Sequence, residues 1–259
     1  MEEVNDIAFR LLCKKSGAGL TWTSLTSPLD PREQQLDDKP ILQIFATSTE
    51  GIEKFMKKYD SKVSGWDFNL GCPAKTAKAQ GYGAYLTDLK TVEKIVKLMR
   101  SCTHKPLSIK IRKSPLYYDF LKIAEKYCDW IAIHPRTRIQ GYSGEPDLEW
   151  ALKLKLESNI PVIYSGNVNE KNYTKFLDKF DYVMIGRSAI GHPEIFSSIL
   201  GKKFSRNFKN YFNLAKKYKL PFRLIKFQAM QFTKGDRESR KLREKMFKIK
   251  SVEELENFI

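Results

Sequence analysis

Apolar residues recur along this chain in short runs, at residues 19–23, 41–45, 65–69, 107–111, 130–134, 162–165 and 182–185. Most read as apolar on both faces, as expected for strands buried inside a parallel sheet. The segments between them carry helical spacing: Val92, Ile95, Val96 and Met99 form one stripe, and Phe120, Ile123 and Ala124 another. Strand alternating with helix implies parallel pairing through crossover helices. Seven such units in 259 residues predict an α/β fold of the TIM (β/α)8 barrel type rather than an open doubly wound sheet. No Gly-x-Gly-x-x-Gly opens the chain, which counts against a dinucleotide fold. An eight-stranded barrel needs one strand more. The chain begins directly before a helix-like stretch at 6–15, so the expectation is a barrel lacking strand 1, or a start upstream of Met1.

The alternation stops at Gly201. Pro221 suits a first helical turn ahead of Phe222, Leu224, Ile225, Ala229 and Phe232. Ser251 and Glu254 have capping-box spacing before Leu255, Phe258 and Ile259. Between them Arg237, Lys241, Lys245 and Lys248 share one helical face, with Leu242, Met246 and Ile249 turned away. Two domains are therefore expected, a barrel over 1–201 and a small all-helical domain with one basic side over 202–259.

Charge sharpens that division. The net charge is +16, and residues 202–259 hold 17 Lys/Arg against only 6 Asp/Glu. A basic excess concentrated there points to a polyanion, nucleic acid before membrane. A lysine-rich solvated surface is the plainer reading for the rest of the chain. No apolar stretch approaches the length needed to cross a bilayer, and the N-terminus lacks the basic and apolar regions of a secretory signal. Four cysteines, Cys13, Cys72, Cys102 and Cys128, form no Cys-x-x-Cys pair, so neither zinc site nor disulfide framework is indicated. A reduced, cytoplasmic setting follows, with no metal, no membrane and a monomeric state expected.

Candidate chemistry collects where the strands end, which in a parallel barrel is where a site forms. The ends carry Gln43, Asn69 with Cys72, Lys110 with Arg112, His134 with Arg136, Ser165-Gly166-Asn167, and Gly186-Arg187. Singly each has a plain explanation: a surface amide, a hydrogen-bonded structural histidine, a solvated strand edge. Together they place groups able to hold an anion or a heterocycle at one rim. Ser165-Gly166-Asn167 and Gly186-Arg187-Ser suit a phosphate cradle of backbone N–H groups, with Arg187 adding a charged donor. From there a flat cofactor would reach Lys110, Gln43 and Cys72, and a lysine and an amide facing a flavin's pyrimidine side would stabilise its reduced form. The stretch 67–86 displays Cys72 between Gly71 and Pro73 with Asn69 beside it, as suits a thiol held above such a ring. His104 and His192 receive no role.

With these residues placed, the chain resembles the tRNA-dihydrouridine synthases over nearly its whole length. The matches are Asn69-Leu-Gly-Cys72-Pro, Gly81-x-Gly83-Ala84-x-Leu86, and Lys110-Ile-Arg112. They continue in His134-Pro-Arg136-Thr137-Arg138-x-Gln140-x-Tyr142-Ser-Gly144 and Met184-Ile-Gly186-Arg187. The Asn-x-x-Cys-Pro element is shared with other flavin barrels; the glycine continuation and the Arg-Thr-Arg loop are more selective. The resemblance implies an oxidoreductase with bound FMN over 1–201 and a tRNA-binding helical domain over 202–259. FMN, reduced by NADPH or NADH, would serve to reduce the C5–C6 double bond of chosen uridines in tRNA, with Cys72 giving the proton to C5. It further assigns Met1, Gln43, Lys110, His134, Ser165, Gly166, Asn167, Gly186 and Arg187 to FMN, and Asn69 and Arg112 to the uracil. Arg136, Arg138 and Tyr142 would stand at the substrate mouth, and Lys241, Lys245 and Lys248 would meet the tRNA. The family opens on a strand ending in Ala-Pro-Met, whose counterpart here would end at Met1. Two alternatives stay open: a non-catalytic RNA-binding protein on a truncated barrel, and a flavin barrel that reduces a free pyrimidine.

Overall fold

A computed structural model describes residues 4–204, 207–233 and 239–258. Its elements in chain order are α1 (Ile7–Lys15), β1 (Ile41–Ile44), α2 (Ile52–Tyr59), β2 (Gly65–Leu70), α3 (Lys75–Gln80) and α4 (Leu89–Cys102). Then come β3 (Leu107–Arg112), α5 (Tyr117–Tyr127), β4 (Trp130–His134), α6 (Leu148–Glu157), β5 (Val162–Tyr164), α7 (Tyr173–Leu177) and β6 (Tyr182–Val183). The chain ends in α8 (Ile195–Ile199), α9 (Phe208–Lys217), α10 (Phe222–Phe232), α11 (Ser239–Lys248) and α12 (Val252–Phe258). Contacts within the chain divide it into two units, residues 25–185 and residues 1–24 with 186–259.

The first unit holds a six-stranded parallel sheet in the order β1-β2-β3-β4-β5-β6, with helices between successive strands as the alternating pattern predicts. Among the described residues no ladder joins β1 to β6, so the sheet has the strand order of a (β/α)8-type barrel without a closed ring. The expected strand at 19–23 does not form. Gly19 and Leu20 are exposed there, while Thr21 and Thr23 are buried. Isolated bridges stand instead at Trp22 and between Thr26 and Ile44.

Nearly every strand residue is buried, yet the strands are not apolar on both faces as expected. Leu42, Ile44, Trp66, Phe68, Leu70, Leu107, Ile109, Ile111, Ile131 and Ile133 join one continuous hydrophobic core. The residues between them, Gln43, Asp67, Asn69, Ser108, Lys110, Arg112 and His134, alternate onto the opposite face, because side chains in a strand switch sides at every step. The parallel register sets Gln43 beside Asp67, Asp67 beside Ser108, Asn69 beside Lys110, and Arg112 beside His134. One face packs the helices; the other is a polar floor.

The helices form where caps and stripes predict them. In α4 the Asp88 side chain accepts from Lys90 N at 3.2 Å, and Val92, Ile95, Val96 and Met99 are buried at helical spacing. Each such side chain contributes about 2 kcal/mol when withdrawn from water. Asp147 caps α6 through Trp150 N at 3.0 Å.

In the second unit, α1 packs on α9. Asp6 caps α1 through Phe9 N (2.9 Å) and also accepts from Tyr211 Oη and Gln228 Nε2, both at 3.2 Å. Glu254 N donates to Ser251 Oγ at 3.1 Å, the expected half of the capping box. Its return arm instead accepts from Lys250 N at 2.8 Å. Among the described residues no helix is long and apolar enough to cross a membrane.

Candidate active site

The polar floor organises the site. Asp67 is fully buried on β2; it accepts from Ser108 Oγ at 2.5 Å and from Gln43 Nε2. Gln43 Oε1 in turn accepts from Asn69 Nδ2 at 2.9 Å. Asn69 Oδ1 collects the backbone N–H groups of Gly71 (3.0 Å) and Cys72 (2.8 Å). A single chain of hydrogen bonds thus runs from the middle of the sheet to the turn that carries the thiol. Burial raises the Asp67 carboxyl to about 6, opposed by its bonds from Ser108 and Gln43 and by the charge of Lys110.

The Cys72 turn is clamped from the other side. Ala84 N donates to Cys72 O at 3.0 Å. Gly83 has φ +61°, and a Cβ there would stand 2.9 Å from both Cys72 Cβ and Cys72 O. Only glycine accepts that backbone and that closeness, which accounts for the glycine-punctuated loop behind the cysteine. Cys72 itself remains half-buried.

Beside Asn69 stands Lys110, half-buried and, among the described residues, without a hydrogen-bonding partner. Burial and then the neighbouring Arg112 charge lower it to about 8, against the weaker pull of Asp67 and Cys72. An ammonium so placed lacks the partner that a buried charge needs. It suits a ligand that brings negative charge or carbonyl oxygens, and a flavin's pyrimidine edge fits that requirement.

Arg112 and Arg136 both donate to backbone carbonyls. Arg112 is buried; its Nε donates to Gly71 O at 2.7 Å and its Nη1 to Gly141 O at 2.7 Å, joining the cysteine turn to the loop after β4. Burial lowers its proton affinity. Arg136, expected at the mouth, is 1% exposed. It donates to Gly144 O (2.6 Å) and Asn167 Oδ1 (3.1 Å) and meets His134 Nε2 at 3.2 Å. A guanidinium offers five donors in a rigid fork, and here the fork holds the loop to the end of β5. Arg138 and Tyr142 are exposed, with Arg138 5.2 Å from the Tyr85 ring centre and Tyr142 beneath Arg112 at 5.3 Å.

Of the expected phosphate residues, Ser165 N donates to Ile133 O at 2.9 Å. Asn167 adopts φ +52° just beyond β5, in the first unit. Gly186 and Arg187 belong to the second unit, where Gly186 precedes the single 3-10 turn Arg187–Ala189 and Arg187 is exposed. Lys241, Lys245 and Lys248 are also in the second unit, all exposed on α11 with Met246 and Ile249 buried. Met1 and Arg237 lie outside the described residues.

Asp67 and Ser108 were not among the sequence candidates. Their signal was present in the strict alternation Trp66-Asp67-Phe68-Asn69-Leu70 and Leu107-Ser108-Ile109-Lys110-Ile111, which places both with the residues that were selected.

The parallel α/β sheet thus carries on its polar face a cysteine turn and a lysine without a hydrogen-bonding partner among the described residues. The profile of the family described as dihydrouridine synthase (Dus) matches residues 1–257. The tRNA-dihydrouridine synthase B of Xanthomonas axonopodis pv. citri is 30% identical over 226 residues, 77% of this chain and 67% of that protein. A probable tRNA-dihydrouridine synthase of Rickettsia bellii is 32% identical over 225 residues, covering 77% and 68%. A solved structure of an NCR variant from Zymomonas mobilis superposes with TM-score 0.56 at 11% identity, over 79% of this chain and 86% of that one, a likeness of fold alone. This chain belongs to the dihydrouridine synthase family.

Proposed function

We propose that this protein is an FMN-dependent tRNA-dihydrouridine synthase, reducing the C5–C6 double bond of selected uridines with NADPH or NADH as the electron source. The observation that carries the proposal is the pairing of a doubly clamped Cys72 turn with the adjacent, unpartnered Lys110 on one polar face. Family membership and the names of the relatives support it.

In this reading, Lys110, Gln43 and His134 hold the ring of FMN, and Ser165, Gly166 and Asn167 serve its phosphate end. When bound, FMN supplies the redox chemistry, taking electrons from a nicotinamide and passing them to the uracil ring. Cys72 Sγ holds the proton destined for C5. Asn69 fixes the thiol turn and offers the remaining hydrogen of its Nδ2 to the uracil, while Arg112 holds the mouth loop against that turn. Burial of a uridine in the site requires its extraction from a folded RNA, at a cost of a few kcal/mol. Phosphate contacts elsewhere must offset this cost, and the basic helical segment after residue 201 is their natural source.

Purified protein should contain FMN in about equimolar amount and oxidise NADPH or NADH when given unmodified tRNA, with dihydrouridine in the product. Protein without flavin that binds tRNA would favour a non-catalytic RNA-binding role. Turnover on free uracil or orotate with indifference to tRNA would favour a free-pyrimidine reductase. Replacing Lys241, Lys245 and Lys248 together by glutamine should weaken tRNA binding, reduce the slope of log K against log salt by up to about 2–3, and leave flavin content intact. An unchanged slope would locate the RNA surface elsewhere.

A further inference from the structure

We propose that Asp67 is a positioning residue for Cys72, acting through Gln43 and Asn69. The argument is one of donor and acceptor polarity. An amide side chain has one accepting end and one donating end, and which way it points is decided by its neighbours. At the thiol turn two backbone N–H groups, those of Gly71 and Cys72, require an acceptor, so Asn69 turns Oδ1 toward them. Its Nδ2 is thereby committed to Gln43 Oε1. Gln43 is then left with a donating end, which must find an acceptor inside the sheet. That acceptor is Asp67 Oδ2.

Asp67 is the fixed point of this relay because both of its oxygens are occupied in a fully buried place. Oδ1 takes the Ser108 hydroxyl and Oδ2 takes Gln43. Without an acceptor at residue 67, the Nε2 hydrogen that Gln43 aims there loses its acceptor, at a cost comparable to the bond Gln43 makes to Asn69. Its way out is to turn over, which sets its donating end against the donating end of Asn69. Asn69 must then yield, and the two N–H groups that hold the cysteine turn lose their acceptor. The effect travels through two side chains from the middle of a strand to a thiol that Asp67 does not touch. Ser108 completes the design: its Oγ also lies 3.4 Å from Trp66 O, so the hydroxyl can turn to donate there and accept from residue 67 instead. The Gln43 side of the relay therefore needs an acceptor oxygen from residue 67, not a charge.

That distinction supplies the test, which rests on thiol orientation rather than on the proposed activity. Cys72 alkylation by iodoacetamide is followed by mass spectrometry of its peptide, on the full chain, as purified and after removal of bound flavin. Asp67→Asn keeps an oxygen for Gln43 and gives its amide hydrogens to Ser108, so Cys72 should react within about twofold of the parent rate. Asp67→Leu keeps the volume without the acceptor, and Cys72 should react at least fivefold faster as the turn loosens. Equal rates in the two variants would reduce Asp67 to packing and overturn the proposal.

Should Asp67→Leu fail to fold, a polarity swap decides. Gln43→Glu alone sets an acceptor against the acceptor of Asp67 and should loosen the turn at least fivefold. Adding Asp67→Asn restores donor against acceptor, and should bring the rate back to within twofold of the parent. Absence of that rescue overturns the relay. Should the relay hold while no variant or parent reduces tRNA, the functional reading fails and the positioning role stands.

Discussion

Replacing Cys72 by alanine is expected to leave the protein folded and loaded with flavin while lowering turnover on tRNA by about 10²- to 10⁴-fold, the usual contribution of a general acid. The turn does not depend on the sulfur. Its contacts are through the backbone, from Cys72 N to Asn69 Oδ1 at 2.8 Å and from Ala84 N to Cys72 O at 3.0 Å. The deletion therefore removes the proposed proton source and little else. Rapid-mixing absorbance separates the two half-reactions: reduction of the flavin by NADPH should be unchanged, and its reoxidation by tRNA should slow. A variant that reduces tRNA within threefold of the parent would show that the proton comes from elsewhere.

Replacing Lys110 by methionine should have opposite effects on binding and stability. Burial lowers this lysine from 10.5 to about 8, so between those values the unfolded chain holds a proton that the folded chain has released. Stability then rises with pH across that window, and the cost of the buried charge is fully present at pH 7. A shift of this size corresponds to roughly 3 kcal/mol. Lys110→Met in flavin-free protein should therefore raise the melting temperature by a few degrees at pH 7, with the gain vanishing above about pH 10. The same variant should bind FMN much more weakly, measured by quenching of flavin fluorescence. Destabilisation at pH 7, or FMN binding as tight as the parent's, would mean that the ammonium does not await a ligand. Retention of an energetically unfavourable lysine is understandable if the ligand repays it.

The strand positions were legible because period-two and period-3.6 spacing are local properties. Five of the expected runs reappear as β1 to β5 within a residue or two at each end, and β6 is cut short at Val183. The run at 19–23 has strand-like composition but, among the described residues, goes no further toward a strand than a bridge at Trp22. Reading the strands as apolar on both faces hid Asp67 and Ser108, although the alternation was visible in the letters. Arg136 shows the opposite difficulty. No local signal tells a guanidinium that reaches out to a substrate from one that folds back on Gly144 and Asn167.

The amino-acid order alone determined the alternation of strand and helix, the glycine behind the cysteine, the basic face of α11 and the membership in a family. Each depends on residues within a turn or two of one another, or on a motif read in line. Only the tertiary structure decided that Asp67, Gln43 and Asn69 form one relay, that Lys110 has no hydrogen-bonding partner among the described residues, and that Asp6 shares its carboxylate with Tyr211 and Gln228, 205 and 222 residues away. The reason is that polarity and burial are properties of an environment, and environments are assembled by strands and helices distant in the chain.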